Sequence, residues 1–256
     1  MVNWLVETSF RLLDLVILLI RHVVRAVLHP WAFFRRSGRF VSIDNRPWSM
    51  DIGISLMFLA QRAKRRIEDV QRRGEDELPQ IHWKGIQSLK DPFSAGAYPL
   101  LLWELRPASV IELGSYKGGS AVWMADMMEC MGIEGHVYSF DIRPELVQAS
   151  HPAVTFGEAD MEDPSTLDRE ELASLPHPWL VIEDAHRNVY GVLKFFDQFM
   201  VPGDYFIVED TSLFRKHAPL KKFLKESRDG YLVDTKYTDL YGYNVTWHTN
   251  GYLRKM

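Results

Sequence analysis

The stretch "VIELGSYKGG", Val110 to Gly119, opens as an apolar strand and closes with three glycines in six residues. One turn needs one glycine. Gly114, Gly118 and Gly119 together mark a place where a backbone must come close to something else. An apolar helical run, 119–131, follows directly, so the unit reads strand, loop, helix. Outward from it the same alternation repeats. Apolar, β-branched runs at 109–113, 136–141, 153–157, 179–184 and 204–209 are separated by helical stretches at 119–131, 144–149, 165–174 and 188–200. Strands alternating with helices predict an α/β domain with a parallel sheet covered on both faces. Ligands of such sheets bind beyond the carboxyl ends of the strands.

Those ends are acidic. The five runs finish at Glu112, at Asp141, at Asp160, at Glu183 and Asp184 followed by His186, and at Glu209 with Asp210. Carboxylates gathered on one sheet edge repel one another unless a cation or polar partner joins them. Something polar or cationic is therefore expected there.

Charge divides the 256-residue chain in two. Residues 1–73 hold 13 Lys/Arg against 6 Asp/Glu, and the remainder 17 against 28. An acidic body argues against binding along a phosphate backbone, so no nucleic-acid partner is expected. A single cysteine, Cys130, excludes intrachain disulfides and fits a reducing compartment. In the front segment, residues 4–34 are apolar around most of a helix. Glu7, Arg11, Asp14, Arg21 and Arg25 form one narrow polar stripe. Those charges break any uninterrupted membrane-spanning window. Burial in a homo-oligomer or against the body, in-plane attachment to a membrane surface and a true span all stay open as its role. A second helix is expected at 51–73, and the polar stretch 74–78 marks a boundary. The reading is a helical segment over 1–75, for oligomerisation or membrane-surface contact, and a sheet domain over 76–256, in a cytoplasmic protein with membrane association as the alternative.

Two phosphate readings of the glycine loop fail on spacing. A dinucleotide fingerprint needs a second glycine where Tyr116 stands, and a P-loop needs Gly-Lys-Ser/Thr where the chain has Lys117-Gly118. A ligand with a cationic end and a ribose accounts for the loop and the acids together. ELGSYKGGSAVWMA closely resembles the first motif of the class I S-adenosylmethionine-dependent methyltransferases, particularly the metal-dependent catechol type. With W-K-G at 83–85, K-D-P at 90–92, FDIRP, IEDAH and PGDYFIVED, residues 80–256 resemble the cephalosporin hydroxylase and rhamnosyl O-methyltransferase family.

The resemblance implies a Rossmann-like sheet ending in an antiparallel hairpin strand, with S-adenosylmethionine as cofactor. Gly114, Ser115, Tyr116, Gly118 and Gly119 would let the backbone approach the cofactor's methionine part. Glu112 would face its amino end, and Ser120 would bond its carboxylate. Asp141 would accept from both ribose hydroxyls, and Asp160 with Met161 would flank the adenine. Asp184, Glu209 and Asp210 would hold Mg²⁺ or another divalent cation such as Mn²⁺. A hydroxyl of a small natural-product-like acceptor would then receive the methyl group. His186 is the candidate base; Arg187, three after the metal acid, would hold an anionic substrate. The hairpin is expected to turn at Asn250-Gly251, with Tyr241, Tyr243 and Trp247 as candidate pocket aromatics. Rival readings are a component of a hydroxylation system and a cofactor-binding scaffold without turnover.

Overall fold

The computed structural model describes residues 38–46, 48, 81–88, 90–211, 216–227 and 230–256. The helices expected at 4–34 and 51–73 lie outside the described residues.

Five short apolar runs form the parallel part of the sheet: β4 (Ser109–Leu113), β5 (His136–Asp141), β6 (Val154–Glu158), β7 (Trp179–Glu183) and β8 (Tyr205–Val208). Three strands precede β4 in the chain: β1 (Phe40–Val41), β2 (Ile81–Trp83) and β3 (Ile86–Ser88). Two follow β8: β9 (Tyr231–Asp234) and β10 (Tyr252–Lys255). The eight-stranded sheet runs β1-β9-β10-β8-β7-β4-β5-β6. β10 pairs antiparallel with both β8 and β9, which closes the sheet as expected. Strand order reverses between β4 and β7, whose registers pair Glu112 with Ile182 and Leu113 with Glu183. The crevice above this switch point is the expected ligand site.

β4 and β7 are buried on both faces, so they are nearly continuous in apolar residues rather than alternating. Their side chains still divide by parity. Ile111, Leu113, Val181, Phe206 and Val208 pack on one face with α4 (Val189–Phe196) and α5 (His217–Glu226). Val110, Val137, Leu180, Ile182 and Ile207 pack on the other with α1 (Pro92–Leu105) and α2 (Gly119–Cys130). α1 starts where Asp91 caps the amides of Phe93 and Ser94, with Pro92 in the first turn, where its missing N–H is not needed. Among the described residues no helix is long and apolar enough to cross a membrane.

The structure departs from expectation in four places. The stretch 144–149 forms only a 3₁₀ turn, Pro144–Leu146, because Gln148 gives its amide to Lys117 and leaves the helical path. The stretch 165–174 divides into a 3₁₀ turn, Pro164–Thr166, and the short α3 (Arg169–Ser174), where Asp168 caps a second start. Asn250-Gly251 is no hairpin turn. β9 and β10 are joined through α6 (Thr235–Thr238) and a long loop, and Asn250 is instead a buried acceptor for Arg46 Nε at 2.6 Å. Finally, residues 39–46 belong to the body rather than to the front segment. Phe40 and Val41 pair with β9, Arg39 Nη2 donates to the buried Asp234 at 2.9 Å, and Arg46 meets Asp239 at 2.6 Å. A carboxylate as enclosed as Asp234 needs such a cation, and the chain supplies it from 195 residues away.

Candidate active site

A cleft of about 1370 Å³ opens beyond the carboxyl ends of the parallel strands. Residues expected at the site line it: Gly114, Ser115, Tyr116, Ser120, Asp141, Asp160, Met161, Asp184, His186, Arg187 and Asp210. Of the three candidate aromatics, Trp247 also lines it. Tyr241 instead packs edge-on against Phe93 at 5.4 Å, and the Tyr243 ring lies 4.9 Å from the Arg46 guanidinium.

Gly114 and Gly119 answer to the protein's own backbone. Gly114 has φ +112°, and a Cβ there would come within 2.9 Å of the Asp184 carbonyl carbon, so β4 and the end of β7 can meet only through glycine. A Cβ on Gly119 would lie 2.3 Å from the Gln87 carbonyl oxygen, which brings β3 down onto the first turn of α2. The tight loop thus joins three segments at the cleft floor.

Glu112 is fully buried beneath the loop. Its two oxygens accept from Ser120 Oγ at 2.5 Å and Ser139 Oγ at 2.6 Å. Ser120 therefore turns its hydroxyl to Glu112. Burial pushes the Glu112 carboxyl up to about 7 even though Lys90 and the two hydroxyls oppose the shift. Asp141 sits at the opening, where its oxygens accept the amides of Tyr116 at 2.8 Å and Arg143 at 2.9 Å. Each oxygen can accept a further hydrogen bond, and Asp141 lines the cleft, which suits a pair of vicinal hydroxyls. Beside it Ile142 is 56% exposed, an apolar ledge within the cleft. Asp160 caps the turn after β6 through the amide of Glu162 at 2.9 Å, and Met161 is buried against it.

The β7–β8 side is organised by a residue that sequence patterning did not single out. Lys90 Nζ, 3% exposed, donates to Asp184 at 2.9 Å and Glu209 at 2.6 Å, and stands 3.8 Å from Glu112. Burial alone would favour the neutral amine. The carboxylates of Asp184, Glu209 and Glu112 outweigh it and hold the Lys90 ammonium well above its ordinary range. Glu209 also accepts from Tyr98 OH. Burial pushes Glu209 up, and Lys90, His248 and Tyr98 together bring it below the ordinary range; Asp184, buried and repelled by Glu209, is raised. Only the motif Lys90-Asp91-Pro92 hinted at this residue, and nothing in its spacing said that it would reach the acidic ends.

Asp184, His186 and Asp210 offer ligand atoms that lie within 4.8 Å of one another. His186 Nε2 is 3.5 Å from both carboxylates, and its side chain is half exposed. The expected metal acids thus divide: Asp184 and Asp210 face the cleft together, while Glu209 points to Lys90 and Tyr98. This oxygen-rich set fits a hard divalent cation, with Glu209 joining only if Lys90 releases it. Asp210 is placed by a buried relay. Its amide donates to His248 Nδ1 at 3.0 Å; His248 Nε2 meets Ser94 Oγ at 2.6 Å, and Ser94 donates to Asp91. Glu183 lies outside the cleft, paired with Lys216 at 2.8 Å and holding the His186 amide at 2.9 Å. Arg187 stands exposed at the rim.

Comparison with known proteins points the same way. The profile of the family described as rhamnosyl O-methyltransferase/CmcI matches residues 77–256. The rhamnosyl O-methyltransferase of Mycobacterium leprae is 30% identical over 148 residues, covering 55% of this chain and 64% of that protein. The Mycobacterium tuberculosis H37Rv protein of the same name is 27% identical over 139 residues, covering 51% and 57%. The chain therefore spans less than two thirds of these relatives' length. A solved CmcI structure with Mg and SAM superposes with TM-score 0.62 at 33% identity, covering 71% of this chain and 78% of that one. A second, with SAH, gives 0.59 at 29%, covering 73% and 91%.

Proposed function

The chain belongs to the rhamnosyl O-methyltransferase/CmcI family, and from that premise we propose that it transfers a methyl group from S-adenosylmethionine to a hydroxyl of a small acceptor, assisted by a divalent cation. The observation that carries the reading is the convergence of Asp141, Asp184 and Asp210 on one cleft at the sheet's switch point, with Glu112 buried beneath its loop. One end suits a ribose and the other a cation.

When bound, S-adenosylmethionine supplies an electrophilic methyl on a sulfonium, and Mg²⁺ or Mn²⁺ lowers the pKa of a hydroxyl oxygen beside it. Asp141 would hold the ribose through its two free lone pairs. The loop from Gly114 to Gly119, with the first turn of α2, would position the amino-acid end. Asp184 and Asp210 would hold the cation, with His186 beside it and uncoordinated. A hydroxyl oxygen is a weak nucleophile until it loses its proton, and His186 Nε2 is the accessible acceptor for that proton at the cleft. Arg187, exposed at the rim and always charged, would orient an acidic group on the acceptor without taking a proton. Small acceptors of the glycoside or phenol type present the hydroxyl this chemistry needs. We also propose that the basic, apolar front segment contacts a second copy of the chain or a membrane surface, which light scattering and liposome flotation would separate.

The test is radiolabelled methyl transfer across a panel of hydroxylated acceptors. Transfer should stop with EDTA and in Asp184→Ala, while calorimetric affinity for S-adenosylhomocysteine stays within a few-fold. Transfer that persists in EDTA would remove the metal from the reading; no transfer and no cofactor affinity would remove the whole of it.

A further inference from the structure

The apolar surface of the cleft is divided between its two ends. At the β5–β6 end Phe140, Ile142, Ala159 and Met161 line it beside Asp141. At the β7–β8 end the lining is largely ionic, with Lys90, Asp184, His186, Arg187 and Asp210. Among the described residues, Trp247 is the one large apolar side chain of that end.

The loop that carries Trp247 holds it still. Residues 244–253 are all buried except Trp247, which is half-buried. Thr246 Oγ1 accepts the His248 amide at 3.1 Å, and the Thr246 amide donates to the Asn244 carbonyl at 2.9 Å. Arg46 secures the same loop, donating to Asn250 Oδ1 at 2.6 Å and to Asn244 Oδ1 at 3.2 Å. Buried polar networks with their partners in place rigidify the segment they hold. A rigid support that presents one side chain to a cleft is a common way of building a binding site.

The neighbours of the indole define its task. His248, next in the chain, accepts the Asp210 amide at 3.0 Å, so Trp247 adjoins the residue that seats one of the cation's acids. His248 also meets Ser94 Oγ at 2.6 Å, in the first turn of α1, where Pro92 lines the cleft. One buried network therefore carries both Pro92 and Trp247. Polar contacts at this end are already supplied by the acids, His186 and Arg187. What an indole adds to them is a broad, flat apolar face. The donor's base has its own apolar surface at the opposite end, beside Asp141. We propose that Trp247 is the acceptor platform: its indole stacks on a six-membered ring whose hydroxyl points to Asp184 and Asp210. The acceptor is then a cyclic hydroxyl compound, a pyranoside or a phenol, rather than an acyclic alcohol. This rests on the methyl-transfer reading above and adds to it the residue that selects the acceptor.

The experiment uses the full chain labelled with 5-fluorotryptophan and saturated with S-adenosylhomocysteine and Mg²⁺. Methyl glucopyranoside, phenol and glycerol are the probes. The fluorine signal of Trp247, assigned by its loss in Trp247→Phe, should shift with a ring probe and stay in place with glycerol. Trp247→Leu should weaken ring binding roughly tenfold, as expected when a stacked aromatic face is lost. Glycerol, S-adenosylhomocysteine and Mn²⁺ should bind this variant within twofold of the parent, and Trp247→Phe should keep most of the ring affinity. A response to the pyranoside alone assigns a sugar acceptor, and a response to phenol alone assigns a phenol. If the leucine variant does not fold, the fluorine shift in the parent decides. No shift with either ring, or equal losses for rings and glycerol, overturns the assignment. So do parallel losses of donor and cation affinity, which would make Trp247 a support of its loop. If the parent binds S-adenosylhomocysteine but neither ring, the platform alone falls; if it does not bind S-adenosylhomocysteine, the methyl-transfer reading falls and takes this assignment with it.

Discussion

The two halves of the cleft are built by different means. On the β4–β6 side, each functional carboxylate is held by neutral amides and hydroxyls no more than 27 residues away: Glu112 by Ser120 and Ser139, eight and 27 residues on, and Asp141 by Arg143, two residues on, and Tyr116, 25 before it. On the β7–β8 side the carboxylates are held by charge from far away, with Lys90 reaching across 94 residues to Asp184 and 119 to Glu209. The first half is organised before any ligand arrives. The second holds mutually repelling acids together with one buried ammonium, so its geometry depends on where positive charge sits.

Removing that ammonium is the strongest way to break the contrast. Lys90→Met leaves Asp184 and Glu209 buried without their cation, and stability should fall by about 3–5 kcal/mol in urea unfolding. Added Mg²⁺ should restore more stability to this variant than to the parent; equal gains in both would show that no cation can replace the ammonium. On the other half, the raised carboxyl of Glu112 gives a pH signature. Its folded value is about 7 against an ordinary 4.5, so the native state holds more protons between those values. Stability therefore declines as pH rises through this window and levels off above it, by at most on the order of 3 kcal/mol. Glu112→Gln should flatten the slope in urea melts at pH 5 to 8, and an unchanged slope would assign it to another group.

Asp141→Ala sharpens the contrast from the cofactor's side. Loss of two charge-assisted hydrogen bonds should weaken S-adenosylhomocysteine binding at least tenfold by calorimetry while leaving Mn²⁺ affinity unaffected. The smallest effect is expected at His248. Replacing it with Leu removes the acceptor for the Asp210 amide and should lower Mn²⁺ affinity several-fold by electron paramagnetic resonance. His248→Asn, which keeps an acceptor near Nδ1, should recover most of that loss; failure to recover would mean the relay does not place Asp210.

Legibility in the sequence follows the same division. β4, the glycine loop, α2 and the acidic end of β5 were readable because strand burial, glycine spacing and helix onset are each encoded in a short consecutive run. The five parallel strands were placed within a residue or two for the same reason. Proline-led runs misled: 144–149 carries helical composition, but Lys117 draws its backbone away. Asn250-Gly251 has the local chemistry of a hairpin turn, yet Asn250 is buried to meet Arg46.

Burial patterns and turn chemistry are local properties, so the order of strands and the identity of the acids at their ends could be read along the chain. Which of those acids share a cation could not, because a charge interacts with whatever lies within a few ångströms whatever its distance in sequence. The hairpin that lays Gln87 on Gly119, the reach of Lys90 to Glu209 and the seating of Asp210 on His248 arise only when separate segments pack. In this protein the fold is written in short stretches, and the electrostatics of the site in the contacts between them.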